Sequence, residues 1–195
     1  MRRRILELAV ASIEHGLTTG APLEVDPATH PAALRRPGAC FVTLRRAGDL
    51  RGCIGEIAAT GPLVESIASR AFAAAFRDPR FAPLRADETD DLEVEVSVLG
   101  PVSPIEAADE AELLRQLRPG IDGVVLRCGP AQATFLPAVW ASLPDPELFL
   151  AELRRKAGLP PGTWSSELSF HRYPVLEVSG PYRRHHVEEP LGEGA

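Results

Sequence analysis

The chain has 195 residues, of which 45% are hydrophobic and 25% are charged, and its net charge at pH 7 is −6. This composition is typical of a globular protein with enough apolar side chains for a core. The acidic balance argues against broad nucleic-acid binding, which needs a basic surface, and no apolar run is long enough to span a membrane. Three scattered cysteines without a CxxC pair argue against a disulfide framework and a structural zinc site.

Apolar residues recur at helical spacing over about the first fifteen residues, and this pattern predicts a helix that ends at Gly16. The basic start resembles a signal peptide, but polar residues such as Glu7 and Glu14 interrupt the apolar stretch that a signal peptide needs. We therefore expect a mature helix in a cytoplasmic protein. Four prolines between Leu17 and Gly38 then predict an irregular segment.

A hairpin and a helix are predicted next. Residues 40–44 are rich in β-forming residues and predict a strand, residues 46–49 form a turn, and residues 50–54 supply the returning strand. Thr60 is the predicted N-cap of a helix with a proline in its first turn. That helix should stop at Asp78, because the residue before a proline avoids the helical region.

The second half of the chain mixes strands and isolated helices. Apolar and polar residues alternate over 92–98, which predicts a strand with one buried and one polar face. Capping patterns predict helices over 109–117 and 145–158, and residues 123–136 predict a hairpin. A last strand is predicted over 175–179. This order indicates an α+β fold with mainly antiparallel sheets, followed by a disordered tail over 183–195.

Four motifs occur in one order and spacing along the chain. They are Leu50-Arg51-Gly52-Cys53-Ile54-Gly55, then Asp78-Pro79-Arg80-Phe81 after an alanine-rich helix, then the strand from Glu95 to Leu99, then Leu136-Pro137-Ala138-Val139 before a helix. Together they strongly resemble the AMMECR domain family, whose prokaryotic members are often labelled AmmeMemoRadiSam system protein A. The resemblance runs from the first helix to about Ser179.

The resemblance implies a single domain over 1–195 with two unequal lobes. The larger lobe would contain both termini, the smaller lobe would be inserted mid-chain, and a cleft between them would lie beside residues 50–55. The family label implies a pathway shared with a Memo-like protein and a radical SAM enzyme. It implies no established activity and no particular cofactor. The family often has glutamine where this chain has Ala138, which argues against a role that needs a polar side chain there.

Cys53 is the candidate nucleophile. A cation such as Arg51 can favour the thiolate, and Gly52 and Gly55 allow a ligand or another chain segment to approach closely. The alternative is a buried cysteine that acts as a small hydrophobic residue. His171 is the candidate base, because the two members of a Cys–His pair can be distant in sequence; the alternative is a structural or surface histidine.

Charged residues supply further candidates for binding a substrate or ligand. Arg80 could bind a carboxylate or phosphate in bidentate fashion, with Asp78 beside it, or the two could form a purely structural charged corner. Glu93 and Glu95 share the polar face of a strand and could divide acid and base roles, or they could simply cover an exposed face.

Two functions remain open at this point. The first is an enzyme that acts on a small polar substrate with Cys53 in the inter-lobe cleft. The second is a non-catalytic binding or scaffold protein of the same pathway. The sequence has no Walker loop, Rossmann fingerprint, radical-SAM cysteine triad or HExxH motif, so it supports neither self-contained nucleotide hydrolysis nor metalloprotease chemistry, and it predicts no metal site.

Overall fold

The computed structural model describes residues 1–183, which divide into two compact units. The first unit contains Met1–Ser97 together with the chain from Glu177 onward, and the second unit contains Val98–Leu176. Each unit has one four-stranded sheet with helices beside it, so the predicted α+β fold with mainly antiparallel sheets is confirmed. Residues 184–195, nearly all of the tail predicted to be disordered, lie outside the described residues.

The elements have well-defined bounds. The helices are α1 (Arg2–Thr19), α2 (Ala32–Arg35), α3 (Leu63–Phe76), α4 (Glu110–Gln116) and α5 (Pro146–Lys156). The strands are β1 (Cys40–Arg46), β2 (Asp49–Gly55), β3 (Leu92–Leu99), β4 (Ser103–Ile105), β5 (Gly123–Cys128), β6 (Ala131–Phe135), β7 (Leu168–Tyr173) and β8 (Val175–Pro181). The strand orders are β2-β1-β3-β8 in one sheet and β4-β7-β5-β6 in the other. None of the helices in residues 1–183 combines the length and apolar character that crossing a membrane requires.

Helix α1 is longer than the sequence pattern predicts. It continues through Gly16 to Thr19, and Gly20 ends it with φ 73° in the left-handed region. Gly16 is buried, and a side chain there would collide with the rings of Phe72 and Phe76 on α3. Gly16 therefore permits close helix packing, and the assignment of Gly16 as the helix end was wrong because a packing glycine and a capping glycine look alike in sequence.

Helix α3 starts later and ends earlier than predicted. Pro62 is its N-cap, whereas the Thr60 hydroxyl donates to the Glu56 carboxylate at 3.4 Å, so the prediction of Thr60 as the cap was wrong. The helix ends at Phe76, and the carboxylate of Asp78 accepts a hydrogen bond from the main-chain N–H of Cys53 in β2. Strands β4 and β7 were not predicted, because β4 has only three residues and the apolar–polar alternation of β7 covers only residues 168–171.

The sheet of the first unit has one face packed on α1 and α3 and one polar face. Alternate residues of β3, such as Val94 and Val96, are buried on the helix side. Gly52 of β2 lies directly under α3, where the main-chain carbonyl of Ala74 leaves no space for a side chain. By the same alternation, Cys53 lies on the opposite, polar face. The fold thus fixes which way the cysteine side chain points.

The core of the second unit lies between its sheet and helices α4 and α5. Trp140 stacks on Phe149 with ring centroids 3.6 Å apart, and its Nε1 donates to the Asp122 carbonyl at 2.8 Å. Asp122 is itself buried and accepts hydrogen bonds from Arg118. This core holds β7, the strand that carries His171, in the middle of the sheet.

Gly52→Ala is expected to lower the free energy of unfolding by about 1–3 kcal/mol, because overpacking costs this much and the Ala74 carbonyl is fixed within a helix. Urea denaturation followed by circular dichroism measures the change. Gly61→Ala is the matched control, since its methyl group would meet only the Glu65 carboxylate at 3.4 Å. Equal stability of the two variants would contradict the close packing inferred at Gly52.

Candidate functional site

A β-bulge lies immediately before Cys53. Leu44 of β1 pairs with Gly52, but the next residue, Arg45, pairs with Leu50, so Arg51 has no partner across the ladder. A bulge leaves one extra residue on one strand and redirects its side chain. Arg51 and Cys53 therefore do not follow the regular alternation that would place a cation beside the sulfur.

Arg51 binds Glu88. Its Nε and Nη2 donate to the two carboxylate oxygens at 2.8 and 2.9 Å, and Nη2 also donates to the Ala82 carbonyl at 3.0 Å. This bidentate pair lowers the pKa of Glu88 to about 2. The Arg51 guanidinium also lies 5.9 Å from the ring centre of Phe81. Arg51 thus ties β2 to the segment that follows α3, and its contacts are structural.

Asp78 and Arg80 bind the main chain of Cys53. Strand β2 is at the edge of its sheet, so the outward N–H and C=O groups of Cys53 need partners from elsewhere. The N–H donates to Asp78 Oδ2 at 2.8 Å, and the carbonyl accepts from Arg80 Nη2 at 3.2 Å. The two side chains therefore act as a short substitute for a neighbouring strand.

Asp78 and Arg80 are also paired with each other. Arg80 donates from Nε at 2.9 Å and from Nη2 at 2.7 Å to the two Asp78 oxygens. Asp78 is only 4% exposed, and the Arg80 guanidinium keeps the pKa of its carboxyl well below the usual range despite burial. The pKa of Arg80 is raised, mainly by Asp78 and further by the Cys53 side chain. The cation beside the thiol is therefore Arg80, not Arg51.

The Cys53 thiol is half-buried and lies beside the Thr43 hydroxyl. Because Cys53 turns its N–H and C=O away from β1, it faces Thr43 in a non-hydrogen-bonded pair, where side chains lie closest. The Thr43 hydroxyl donates to the sulfur at 3.4 Å. By contrast, Cys40 is buried against Ser66, and burial raises the pKa of its thiol to about 11. Cys53 and Cys40 are thus chemically distinct.

Glu95 and Gly55 occupy other positions on β3 and β2. Gly55 packs against the Phe41 ring, where a side chain would not fit. Glu95 accepts a hydrogen bond from the Ser97 hydroxyl at 3.4 Å. Burial raises the pKa of Glu177 on β8, and the charge of Glu95 raises it further. Among the described residues, no hydrogen bond or ion pair joins Glu95 to Cys53. Glu95 is therefore near enough to Glu177 for its charge to act on that carboxyl group.

His171 belongs to the second unit, whereas the other predicted site residues all belong to the first. It lies on β7 opposite Pro104 on one side and Val125 on the other. Its Nδ1 is buried without a hydrogen-bond partner. Within residues 1–183, no cluster of three or more His, Cys, Asp or Glu side chains is arranged to hold a metal ion.

Sequence reasoning missed three residues that shape the site. Thr43 is the direct neighbour of the sulfur, Glu88 holds Arg51, and Glu177 lies near Glu95. Strand pairing brings Thr43 to Cys53, because the bulge at Arg51 shifts by one residue the register set by the two-residue turn, which has positive φ at Ala47 and Gly48. Counting back from the turn would have placed Thr43 opposite Gly52, because the sequence does not show the bulge, and the contacts of Glu88 and Glu177 depend on chain segments distant in sequence.

Comparisons with known proteins agree with the motifs along the chain. The model of the AMMECR1 family matches residues 6–178. The chain belongs to the AMMECR1 family. Its AMMECR1 relatives include a Methanothermobacter thermautotrophicus protein, 39% identical over 162 residues that cover 82% of this chain and 83% of the relative.

A second AMMECR1 relative, protein PH0010 of Pyrococcus horikoshii, is 41% identical over 171 residues, covering 84% of this chain and 81% of that protein. The crystal structure of PH0010, described as an uncharacterized protein, superposes with a TM-score of 0.81 at 37% identity. That match covers 89% of this chain and 88% of the other. The family and its fold are thereby shown, and neither relative's name states an activity.

Asp78→Asn is expected to lower the free energy of unfolding by about 2 kcal/mol at pH 7, because it weakens hydrogen bonds to a charged group. The folded-state pKa of Asp78 lies below the unfolded value, so its contribution is complete above about pH 4 and is lost as the pH falls further. Urea denaturation at several pH values should therefore show the wild-type advantage shrinking below about pH 4.

Asp87→Asn is the matched control, because Asp87 pairs with Arg85 on the surface, where both side chains are well exposed. It should leave the stability nearly unchanged at each pH. An Asp78→Asn effect that stays constant down to pH 2 would contradict the role given to the charged form of Asp78.

Proposed function

We propose that the protein is an enzyme that acts on a small polar substrate with Cys53 as its nucleophile. The observation that carries the proposal is the environment of the half-buried Cys53 sulfur, next to the Thr43 hydroxyl and the Arg80 guanidinium. Its main chain is held at both the N–H and the C=O group. A nucleophile held in one position reduces the entropy that must be lost on reaching the transition state.

The chemistry follows from the groups beside the sulfur. The thiolate would form a bond to an electrophilic carbon of the substrate, such as a carbonyl carbon, and the electron pair of the C=O bond would move to its oxygen. Arg80 has a half-exposed guanidinium, and its Nη1 makes no hydrogen bond within residues 1–183. It could therefore bind a negatively charged group of the substrate or the developing oxyanion.

His171 is the proposed base that accepts the thiol proton, within the cleft that the family resemblance implies. In residues 1–183, no hydrogen bond links the Cys53 sulfur to a carboxylate or an imidazole, so the base must come from outside the immediate contacts of the thiol. The proposed setting is a pathway with a Memo-like protein and a radical SAM enzyme, in a cytoplasmic protein of the AmmeMemoRadiSam system protein A type. This setting is supported by the sequence motifs.

A non-catalytic binding or scaffold protein is the second candidate. Its specific support is that Arg51 uses Nε and Nη2 to bind Glu88 and Ala82. Asp78 and most of the Arg80 donors bind main-chain groups or each other. These contacts build a rigid surface and do not require a reaction. The two candidates differ in what they predict for the thiol.

If Cys53 is a nucleophile, iodoacetamide should modify it at least about tenfold faster than Cys128 at pH 7.5, because a nearby cation favours the thiolate. Cys128 is the matched control, since it is also half-buried, and Cys40 should react only after unfolding. Mass spectrometry of tryptic peptides measures each rate. A Cys53 rate equal to that of Cys128 would contradict nucleophilic catalysis.

The contribution of Arg80 can be measured in the same assay. Arg80→Gln should slow the modification of Cys53 toward the Cys128 rate, whereas Arg80→Lys should retain most of it, because lysine keeps the positive charge. Circular dichroism checks that both variants are folded. If Gln and Lys have the same effect, the charge of Arg80 does not activate the thiol.

The scaffold candidate predicts that Cys53→Ser leaves binding to pathway partners unchanged, because serine conserves the size and the main-chain contacts of the position. Affinity purification of tagged wild-type and variant proteins from the native host measures this. Loss of the partners from a folded Cys53→Ser protein would show that the thiol belongs to the recognition surface.

A further inference from the structure

The second unit contains a cavity of about 500 Å³ that is separate from the contacts of Cys53. It lies where β4 and β7 separate: the two strands pair from Ser103 opposite Arg172 to Ile105 opposite Phe170, and the pairing then stops. The chain after Ile105 and the chain before Phe170 form its walls. This volume is within the range of small-molecule sites in proteins.

An imidazole with unused hydrogen-bonding capacity lines the cavity. His171 lies opposite Pro104, which has no N–H group, and no described residue is hydrogen-bonded to its ring. Its Nδ1 is buried without a partner, and buried polar atoms normally have one. His171 as a whole is half-buried, so part of its ring is accessible from the cavity.

An aromatic surface lines the same cavity. Trp164 is 36% exposed and stacks on Phe170, with ring centroids 5.9 Å apart and planes inclined by 16°. Phe170 is 4% exposed and belongs to the core of the unit, so it supports the indole from beneath. A supported indole offers a flat face on which a planar ligand can stack.

The charges of the lining restrict the ligand further. Glu106 is the only side chain with a full charge among the lining residues, and no arginine or lysine is present. Three serines, Ser165, Ser166 and Ser169, supply polar groups. A carboxylate or phosphate ligand would find no cation here, whereas a neutral or protonated nitrogen compound would find acceptors.

We propose that this cavity binds a planar nitrogen heterocycle of about purine size that carries an amino group. The ring would stack on Trp164, a ring nitrogen would hydrogen-bond with His171, and the amino group would donate to Glu106 or a serine hydroxyl. This proposal does not depend on Cys53, and it gives His171 a ligand-binding role that holds whether or not His171 also serves as a base.

Tryptophan fluorescence tests the proposal directly. Trp140→Phe removes the other tryptophan while it keeps a ring to stack on Phe149, so Trp164 becomes the only tryptophan and can be excited selectively over the two tyrosines. Titration of this full-length variant with adenine should quench the fluorescence with saturation below about 1 mM, an ordinary affinity for a small ring. Benzoate, which is flat but anionic, should bind at least about tenfold more weakly. Equal quenching by both compounds, or no saturation with adenine, would overturn the proposal.

Two variants of His171 locate the ligand. In the Trp140→Phe protein, His171→Leu should weaken adenine binding about tenfold, as expected for loss of a buried hydrogen bond, whereas His171→Gln should retain binding within about threefold. His30→Leu, a histidine of the first unit, is the matched control and should have no effect. If His171→Leu proves unstable, His171→Gln is compared with Trp164→Ala instead. Adenine binding to the Trp164→Ala protein is measured by the increase in Tm that adenine causes. Unchanged adenine binding in a folded Trp164→Ala protein would also overturn the proposal.

Discussion

The Asp78 carboxylate is the interaction on which the conformation of the Cys53 region depends. It accepts the Cys53 N–H and two guanidinium donors of Arg80, while it is almost fully removed from solvent. A buried carboxylate is stable only when it is paired and hydrogen-bonded. The Cys53 N–H of β2 and the Arg80 guanidinium thus donate the hydrogen bonds that stabilise the buried carboxylate. The carboxylate in turn holds the main chain of β2 and the Arg80 side chain in place. This mutual dependence places a cation beside a thiol without using any side chain of the strand itself.

A second ion pair works in parallel with the first. Arg51 reaches from the bulge of β2 to Glu88, and the guanidinium groups of Arg51 and Arg80 lie 5.9 and 5.5 Å from the ring centre of Phe81. The two pairs attach the segment after α3 to the edge of the sheet. An arginine two residues before a cysteine suggests direct activation of the sulfur. Here the bulge redirects the Arg51 side chain, which binds Glu88 instead. The guanidinium that binds the main chain of Cys53 comes from Arg80, 27 residues after the cysteine.

Much of the fold could be predicted from local patterns. The strand at 92–98, the hairpin at 123–136 and the helix at 145–158 follow from alternation, turn residues and capping residues that act within a few positions. Predictions failed where a residue type has two uses. Gly16 could end a helix or admit a neighbouring helix, and only the presence of Phe72 and Phe76 opposite it separates the two.

The sequence by itself determined the fold class, the family and the identity of the candidate nucleophile, since periodicity, capping and ordered motifs are all local information. The neighbours of that nucleophile were decided only by tertiary structure. Thr43 and Arg80 reach Cys53 through strand register and through a buried ion pair. Likewise, the strand pairing of the second unit brings His171 to the cavity that Trp164 also lines. The physical reason is that hydrogen bonds and ion pairs between distant residues depend on distance and burial. The spacing of residues along the chain gives neither their distance in space nor their burial.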